Sequence, residues 1–395
     1  MIKSFKVIEI VLFSLLLIGG TLFSLTVKAA EPFNIQVIPD VEVKTILSDE
    51  EFKTKTKLID FNYTDDSAVS HTVSIPKGWS ENVAYKDIDA NRKVSNKKVL
   101  AIIERYNSPP DEQHARSYIT VEAMQLEYEI SIRNWFVNYA LLNGLSLQNL
   151  SVTKGKRELE ALYVEIQKDE TYIVRTKAFI NGRRLLVARY FIPMPLYEDN
   201  KEFQAQVIRS VKLKTPSDVP IEELQTHGFL NQAYFDYPSS WHLTAHPVKT
   251  INYMKALLHR NTVEGQLEGQ INARLYNKEV TLSRKEAIKK FRDNFTVKDY
   301  EVGSFIEDVD ADYHQEMSYG STQVYHLNPI LKNMINYELW VSVSENEEYI
   351  FINSLITPSR NEEFYAWARN LEVFKLIVRT MRGHESHKSL YEYLE

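Results

Sequence analysis

Two stretches of the chain carry the same pattern of apolar and polar positions. His71-Thr72-Val73-Ser74-Ile75 alternates and ends in Pro76-Lys77-Gly78-Trp79, and Tyr234-Phe235-Asp236-Tyr237 alternates and ends in Pro238-Ser239-Ser240-Trp241. Alternation at period two is the pattern of a strand. Pro lacks the N–H that would extend a ladder, and Trp just beyond it supplies a large apolar body for a core.

The segments downstream of the two copies are alike as well. In the first, Val99–Ile103 is a compact apolar strand, Ser108–Glu112 breaks the chain, and Tyr118–Ala123 reads as the next strand. Ile132, Trp135, Phe136, Tyr139 and Leu142 recur at helical spacing, with Asn143-Gly144 as the stop. A hairpin is predicted over Tyr172–Ile192 around Asn181-Gly182, a pair that tolerates the positive φ of a two-residue turn. That turn sets Ile180 opposite Arg183, Ala178 opposite Leu185, Thr176 opposite Val187, Val174 opposite Arg189 and Tyr172 opposite Phe191. Pro193 and Pro195 end it, and Asp199 followed by Glu202 signals a terminal helix facing inward through Phe203, Val207 and Val211.

The second copy retraces this order with Met254–Leu258, Gln270–Tyr276, a helix capped by Ser283 with Ile288, Phe291 and Phe295 inward, and the strand Tyr337–Ser344. After the turn at Ser344–Glu348 and the strand Tyr349–Ile356, a Ser359–Glu362 capping box opens a helix with Phe364, Ala368 and Leu371 inward. Asn200-Lys201-Glu202-Phe203 and Asn361-Glu362-Glu363-Phe364 lie 161 residues apart, against 162 for Trp79 and Trp241. Register kept from end to end points to duplication. The organisation read from this is a signal segment at 1–29, a lead-in at 30–60, module 1 at 61–214, a linker at 215–233, module 2 at 234–379 and a polar tail at 380–395.

Composition narrows the function classes. The 395 residues exceed one ordinary core and suit two, and 44% hydrophobic with 25% charged residues is the balance of a globular protein. A net charge of −6 with no basic run argues against nucleic acid as a partner. The absence of cysteine excludes disulfides, thiolate metal sites and a Cys nucleophile. At the N-terminus, Lys3 and Lys6 precede an uncharged run from Ile10 to Val27, followed by Val27-Lys28-Ala29 with small residues where signal peptidase needs them. The alternative to a cleaved signal is an uncleaved anchor, since 18 uncharged residues reach the short end of a membrane span. Gly19-Gly20 inside the run favours cleavage.

Taken together, strand, Pro-x-x-Trp, two strands, helix, long hairpin, Pro and terminal helix resemble the PsbP-like fold. The matching residues are Ile75-Pro76-Lys77-Gly78-Trp79 with Asn200-Lys201-Glu202-Phe203, and Tyr237-Pro238-Ser239-Ser240-Trp241 with Asn361-Glu362-Glu363-Phe364. The resemblance implies an α+β protein of two tandem α/β/α sandwich modules, each a mainly antiparallel sheet with helices on both faces. It also implies binding or assembly support rather than catalysis, and it carries over no catalytic residues.

Candidate chemistry is sparse. Asp308-Val309-Asp310-Ala311-Asp312 alternates like the start of a calcium loop, but Tyr313 stands where the loop needs Gly and Tyr319 where it needs Glu. His242 and His246, with His259 or His314, would form a metal site only if the fold gathered them, while His384 and His387 fall in the tail. No hydrolase elbow, zinc-protease motif or Gly-rich phosphate loop occurs. Trp340 and Trp367 sit at nominally outward positions and mark either a contact surface or a second core layer. No residue is therefore assigned a catalytic, cofactor-binding or metal role. The expected function is that of an exported, periplasmic or envelope-associated binding or assembly-support protein whose partner is an envelope protein or complex. A hydrolase with its site between the modules is the alternative, as is a membrane-anchored component of an envelope complex if the N-terminal segment stays on.

Overall fold

Strand-forming alternation dominates the chain, and in the computed structural model every strand pair among the described residues is antiparallel. The structure describes residues 38–42, 47–82, 92–95, 98–153, 157–245, 253–262, 267–279, 283–331 and 334–384. The N-terminal segment, His246 and His387 lie outside them.

Module 1 opens with α1 (Asp49–Lys55), β1 (Thr56–Phe61), β2 (His71–Pro76) and the short β3 (Ser80–Glu81). Then come β4 (Arg92–Ser95), β5 (Lys98–Asn107), β6 (Tyr118–Gln125) and α2 (Ile132–Leu142). It closes with β7 (Ser146–Val152), β8 (Glu158–Gln167), β9 (Glu170–Asn181), β10 (Arg184–Pro193), α3 (Tyr197–Arg209) and β11 (Lys212–Leu213). Module 2 repeats the plan with β12 (Leu224–Gly228), β13 (Ala233–Pro238), β14 (His242–Ala245), β15 (Tyr253–Asn261), β16 (Leu267–Asn277) and α4 (Arg284–Asp293). It ends with β17 (Tyr300–Val309), β18 (Tyr319–Pro329), β19 (Tyr337–Glu345), β20 (Tyr349–Pro358), α5 (Phe364–Thr380) and β21 (Arg382–Gly383).

The two sheet systems have one topology. A three-stranded sheet, β1-β2-β11 or β12-β13-β21, accompanies a large sheet ordered β3-β5-β6-β10-β9-β8-β7 or β14-β15-β16-β20-β19-β18-β17, with β4 also pairing β5. β1 begins in the stretch read as a lead-in, β12 lies in the linker and β21 in the tail, and each is an edge strand of its small sheet. In module 1, α3 and the small sheet bury Val73, Ile75, Val121, Leu186, Tyr190, Val207 and Ile208 on one face of the large sheet. α2 covers the opposite face with Trp135, Phe136 and Tyr139. The fold is α+β, two tandem modules with helices on both sheet faces.

The Pro-x-x-Trp stretches are β-turns. Trp79 N–H donates to Pro76 O (3.3 Å) and Trp241 N–H to Pro238 O (3.0 Å). Gly78 takes φ +83°, which a Cβ would oppose. Trp79 stands edge-on to Tyr190 at 5.4 Å, and Trp241 is buried.

Four local expectations are corrected. The β9–β10 hairpin turns through Gly182-Arg183, so Ile180 faces Leu185, Ala178 faces Val187 and Thr176 faces Arg189. The shift is two residues, which keeps each side chain on its expected face. Its cause is the buried Asn181 side chain, which donates to Ala68 O (2.7 Å) and Thr215 O (3.1 Å) and accepts from Ser217 N–H (2.6 Å), tying the end of β9 to two other segments. Leu142, expected inward, is exposed. α3 starts at Tyr197 without a side-chain cap, placing Glu198 and Asp199 in its first turn, where the helix dipole favours them. α5 starts at Phe364 rather than from a Ser359 box, because the Glu362 carboxylate accepts from Asn336 Nδ2 (2.8 Å) and Arg360 is drawn to Glu338.

Candidate functional site, an apolar pocket under α4

Helix α4 and helix α2 occupy the same place in their modules and cover their sheets differently. α2 has the sequence Ile-Arg-Asn-Trp-Phe-Val-Asn-Tyr-Ala-Leu-Leu, capped by Ser131, whose hydroxyl accepts from Asn134 N–H, and eight of its eleven residues are buried. α4 is held at its start by a Ser283–Glu286 capping box, and only Ala287 and Phe291 are buried. Under α2, Leu159, Ala161 and Tyr163 of β8 are fully buried, with Tyr163 5.9 Å from Phe136. Under α4, the corresponding strand β18 leaves Tyr319, Ser321, Gln323 and Tyr325 only half-buried.

The missing aromatic volume is a cavity of about 600 Å³ between α4 and strands β17–β20. Its apolar wall is Phe291, Phe295, Val302, Leu339, Val341 and Val343, and its polar points are Ser321, Gln323, Tyr325 and Arg292. That volume and that mixture of a mostly apolar wall with a few placed polar groups are those of a small-molecule site. Tyr325 O–H donates to Gln323 Oε1 (2.7 Å), and Gln323 Nε2 donates to Asp308 Oδ1 (3.1 Å), so the polar floor is pre-oriented. At one end the Arg284 guanidinium lies 3.6 Å over the Tyr319 ring and reaches Glu345 at 3.4 Å. A second recess of about 820 Å³ adjoins there, with Lys278, Arg284, Lys285 and Lys289 on its wall, and shares Ile288 and Arg292 with the apolar cavity.

The face of the module 1 sheet that α2 covers also holds a buried ion pair. Arg189 and Glu122 are both fully buried, with Nη2 3.3 Å from Oε2, and Arg189 Nη1 donates to the Tyr139 hydroxyl oxygen (2.6 Å). Thr120 donates to the other Glu122 oxygen (2.8 Å). Glu122 opposes the burial penalty and holds the Arg189 guanidinium charged, well above its ordinary range.

The residues singled out from sequence fall elsewhere. His242 and His259 pair across β14 and β15 with rings 4.9 Å apart, while His314 lies by Glu316. Among the described residues no three His, Asp or Glu side chains gather as a metal site would require. Asp308 is engaged by Gln323, and Tyr313 turns in to meet Thr322 Oγ1 at 2.7 Å. Trp340 and Trp367 belong to a second core layer: both are buried, and both indole N–H groups donate to Glu338 Oε2, at 3.0 and 2.9 Å. His384 stacks on the Tyr234 ring, with Nδ1 3.0 Å from its hydroxyl. Where the modules meet, α2 touches α5, and the guanidiniums of Arg260 and Arg369 lie 3.9 and 4.8 Å from the centre of the Tyr128 ring, both of them bonded to Glu268. The pocket-lining Ser321, Gln323 and Tyr325 were missed. Their signal was the polar alternation of β18 beneath a helix with few large inward residues.

Comparisons with known proteins add little. No protein-family model matches the chain, and no curated protein matches it. Among solved structures it is similar to cyanobacterial PsbP (CyanoP) from Synechocystis, at 12% identity and TM-score 0.30, over 40% of this chain and 92% of that one. It is also similar to the immunity protein TplEi of Pseudomonas aeruginosa, at 10% identity and TM-score 0.20, over 84% of this chain and 98% of that one. At TM-scores this low the likeness transfers nothing to this chain.

Proposed function

We propose that the chain is an exported, non-catalytic binding protein of the cell envelope, built from two PsbP-like modules, in which module 2 receives a small, largely apolar ligand and module 1 is its rigid support. The observation that carries this reading is the contrast between copies: one topology, with the space between helix and sheet filled in module 1 and open to about 600 Å³ in module 2. An envelope protein or complex would be the partner that delivers or takes up the ligand.

The test is direct. The neutral dye N-phenyl-1-naphthylamine is expected to bind the purified chain at one site, with a rise in fluorescence that Ser321→Trp abolishes, while circular dichroism shows the fold intact. Absence of any dye binding, or binding that Ser321→Trp leaves unchanged, removes the reading. Mass spectrometry of the N-terminus from cells tests export: a chain beginning at Ala30 or Glu31 supports it, and retention of residues 1–29 makes the protein membrane-anchored instead.

A further inference from the structure

We infer that the ligand of the α4 pocket is a single-chain amphiphile with an anionic head, its hydrocarbon chain between α4 and the sheet and its head in the adjoining basic recess. The inference rests on the pocket's being a binding site, as proposed above.

Two features, each on its own ordinary, meet here. The apolar cavity accepts hydrocarbon, and burying apolar surface in it is favourable at about 25 cal/mol per Å². The recess that shares Ile288 and Arg292 with it is cationic: α4 carries Arg284, Lys285, Lys289, Lys290 and Arg292 against Glu286 and Asp293. Part of this charge is already satisfied, since Arg284 and Lys278 reach Glu345 at 3.4 and 3.7 Å and Lys289 reaches Asp293 at 3.1 Å. Lys285 and Arg292 are exposed and have no ion-pair partner among the described residues. Arg292 stands at the boundary of the two spaces, where a carboxylate or phosphate joined to a chain would lie. An anion there completes the charge pattern, whereas a cation meets like charge.

The shape selects among anionic partners. A peptide helix is about 10–12 Å across with its side chains. It has no room beneath α4 while Ala287 and Phe291 stay buried against the sheet. A bilayer surface would meet only the outer, charged face of α4. A single flexible chain needs neither helix displacement nor a flat surface.

The experiment displaces N-phenyl-1-naphthylamine from the purified chain with laurate, dodecanol and dodecyltrimethylammonium, which share one chain and differ in head charge. Laurate is expected to be strongest and the cation weakest. In Lys285→Glu/Lys289→Glu, both exposed on the wall of the basic recess and neither lining the apolar cavity, the preference for laurate over the cation falls by about tenfold or more, and dodecanol is unaffected. Ser321→Trp removes all three. Equal displacement by laurate and the cation, or an unchanged preference in the double variant, overturns the head assignment while leaving the pocket as a binding site. Failure of the dye itself to bind removes the pocket reading instead. Association with anionic vesicles, or capture of an acidic amphipathic peptide, with no displacement of the dye by laurate also overturns the inference, in favour of a membrane or a peptide.

Discussion

Glu338 offers the sharpest test of how module 2 is held together. Its carboxylate is 2% exposed and accepts five hydrogen bonds. Trp340 and Trp367 donate to Oε2 at 3.0 and 2.9 Å, as does Arg360 Nη2 at 3.1 Å, while Arg360 N–H and Nε reach Oε1 at 3.2 and 2.9 Å. One group thus ties β19, α5 and the turn between β20 and α5. Glu338→Gln keeps the shape but replaces one acceptor by an amide that faces donors. Breaking a buried charge pair costs about 3–5 kcal/mol. The lower end applies here, because Arg360 keeps Glu307 at 2.8 Å and is itself partly exposed. We expect a loss of about 3 kcal/mol for Glu338→Gln and about 5 for Glu338→Ala, which leaves two buried indole N–H groups unpaired at about 1–3 kcal/mol each. Urea unfolding followed by tryptophan fluorescence reads this well, since two of the five Trp residues contact the site. A Glu338→Gln variant within about 0.5 kcal/mol of the parent, on the order of an ordinary surface substitution, would show that the carboxylate is not what organises this layer.

Three further outcomes are expected. Arg189→Ala destabilises module 1 by about 3–5 kcal/mol because Glu122 is left buried and charged, whereas Arg189→Met with Glu122→Leu is close to neutral or stabilising, both measured by urea unfolding. Burial lowers the pKa of His71, whose Nδ1 donates to Val69 O and whose Nε2 lies 3.8 Å from a Glu104 oxygen. The unfolded chain then binds the proton more readily than the folded one, so stability is full above the unfolded value near 6.5 and falls as pH drops below it. His71→Phe flattens that slope, leaving the parts from His227 and His314, whose pKa values burial also lowers. Gly320→Ala overlaps the Tyr313 ring and breaks its contact with Thr322, costing about 1–3 kcal/mol in the same assay.

The repeat was legible because its markers are local. Pro76 and Pro238 close turns by their own geometry, and the residues three positions on return a backbone hydrogen bond whatever the rest of the chain does. The hairpin at Asn181 was legible in kind but not in register, since its turn is placed by Ala68, Thr215 and Ser217, which are distant in sequence. Trp340 could not be resolved from β19 alone. Its alternation with Leu339 and Val341 marks two faces, and only the arrival of Trp367 and Arg360 over Glu338 makes both of them interior. The α4 pocket was least legible, because it is a difference in filled volume, set by how far Phe291 and Ile288 reach over β18 and β19, and no single residue announces it.

The asymmetry between the two copies arises from their order in the chain. α2 lies between its own sheet and α5 of the second module, so nearly every side of it meets protein and its residues must be apolar or paired. That explains Trp135, Phe136, Val137 and Tyr139 on one short helix, and it explains why α5, pressed from both sides, buries eleven of its seventeen residues. α4 has no such neighbour among the described residues; it covers one sheet face and turns Lys285, Lys289, Lys290 and Arg292 to solvent. In a tandem of two like modules, the open site therefore falls in the copy whose covering helix is not used to join them, and here that copy is the second.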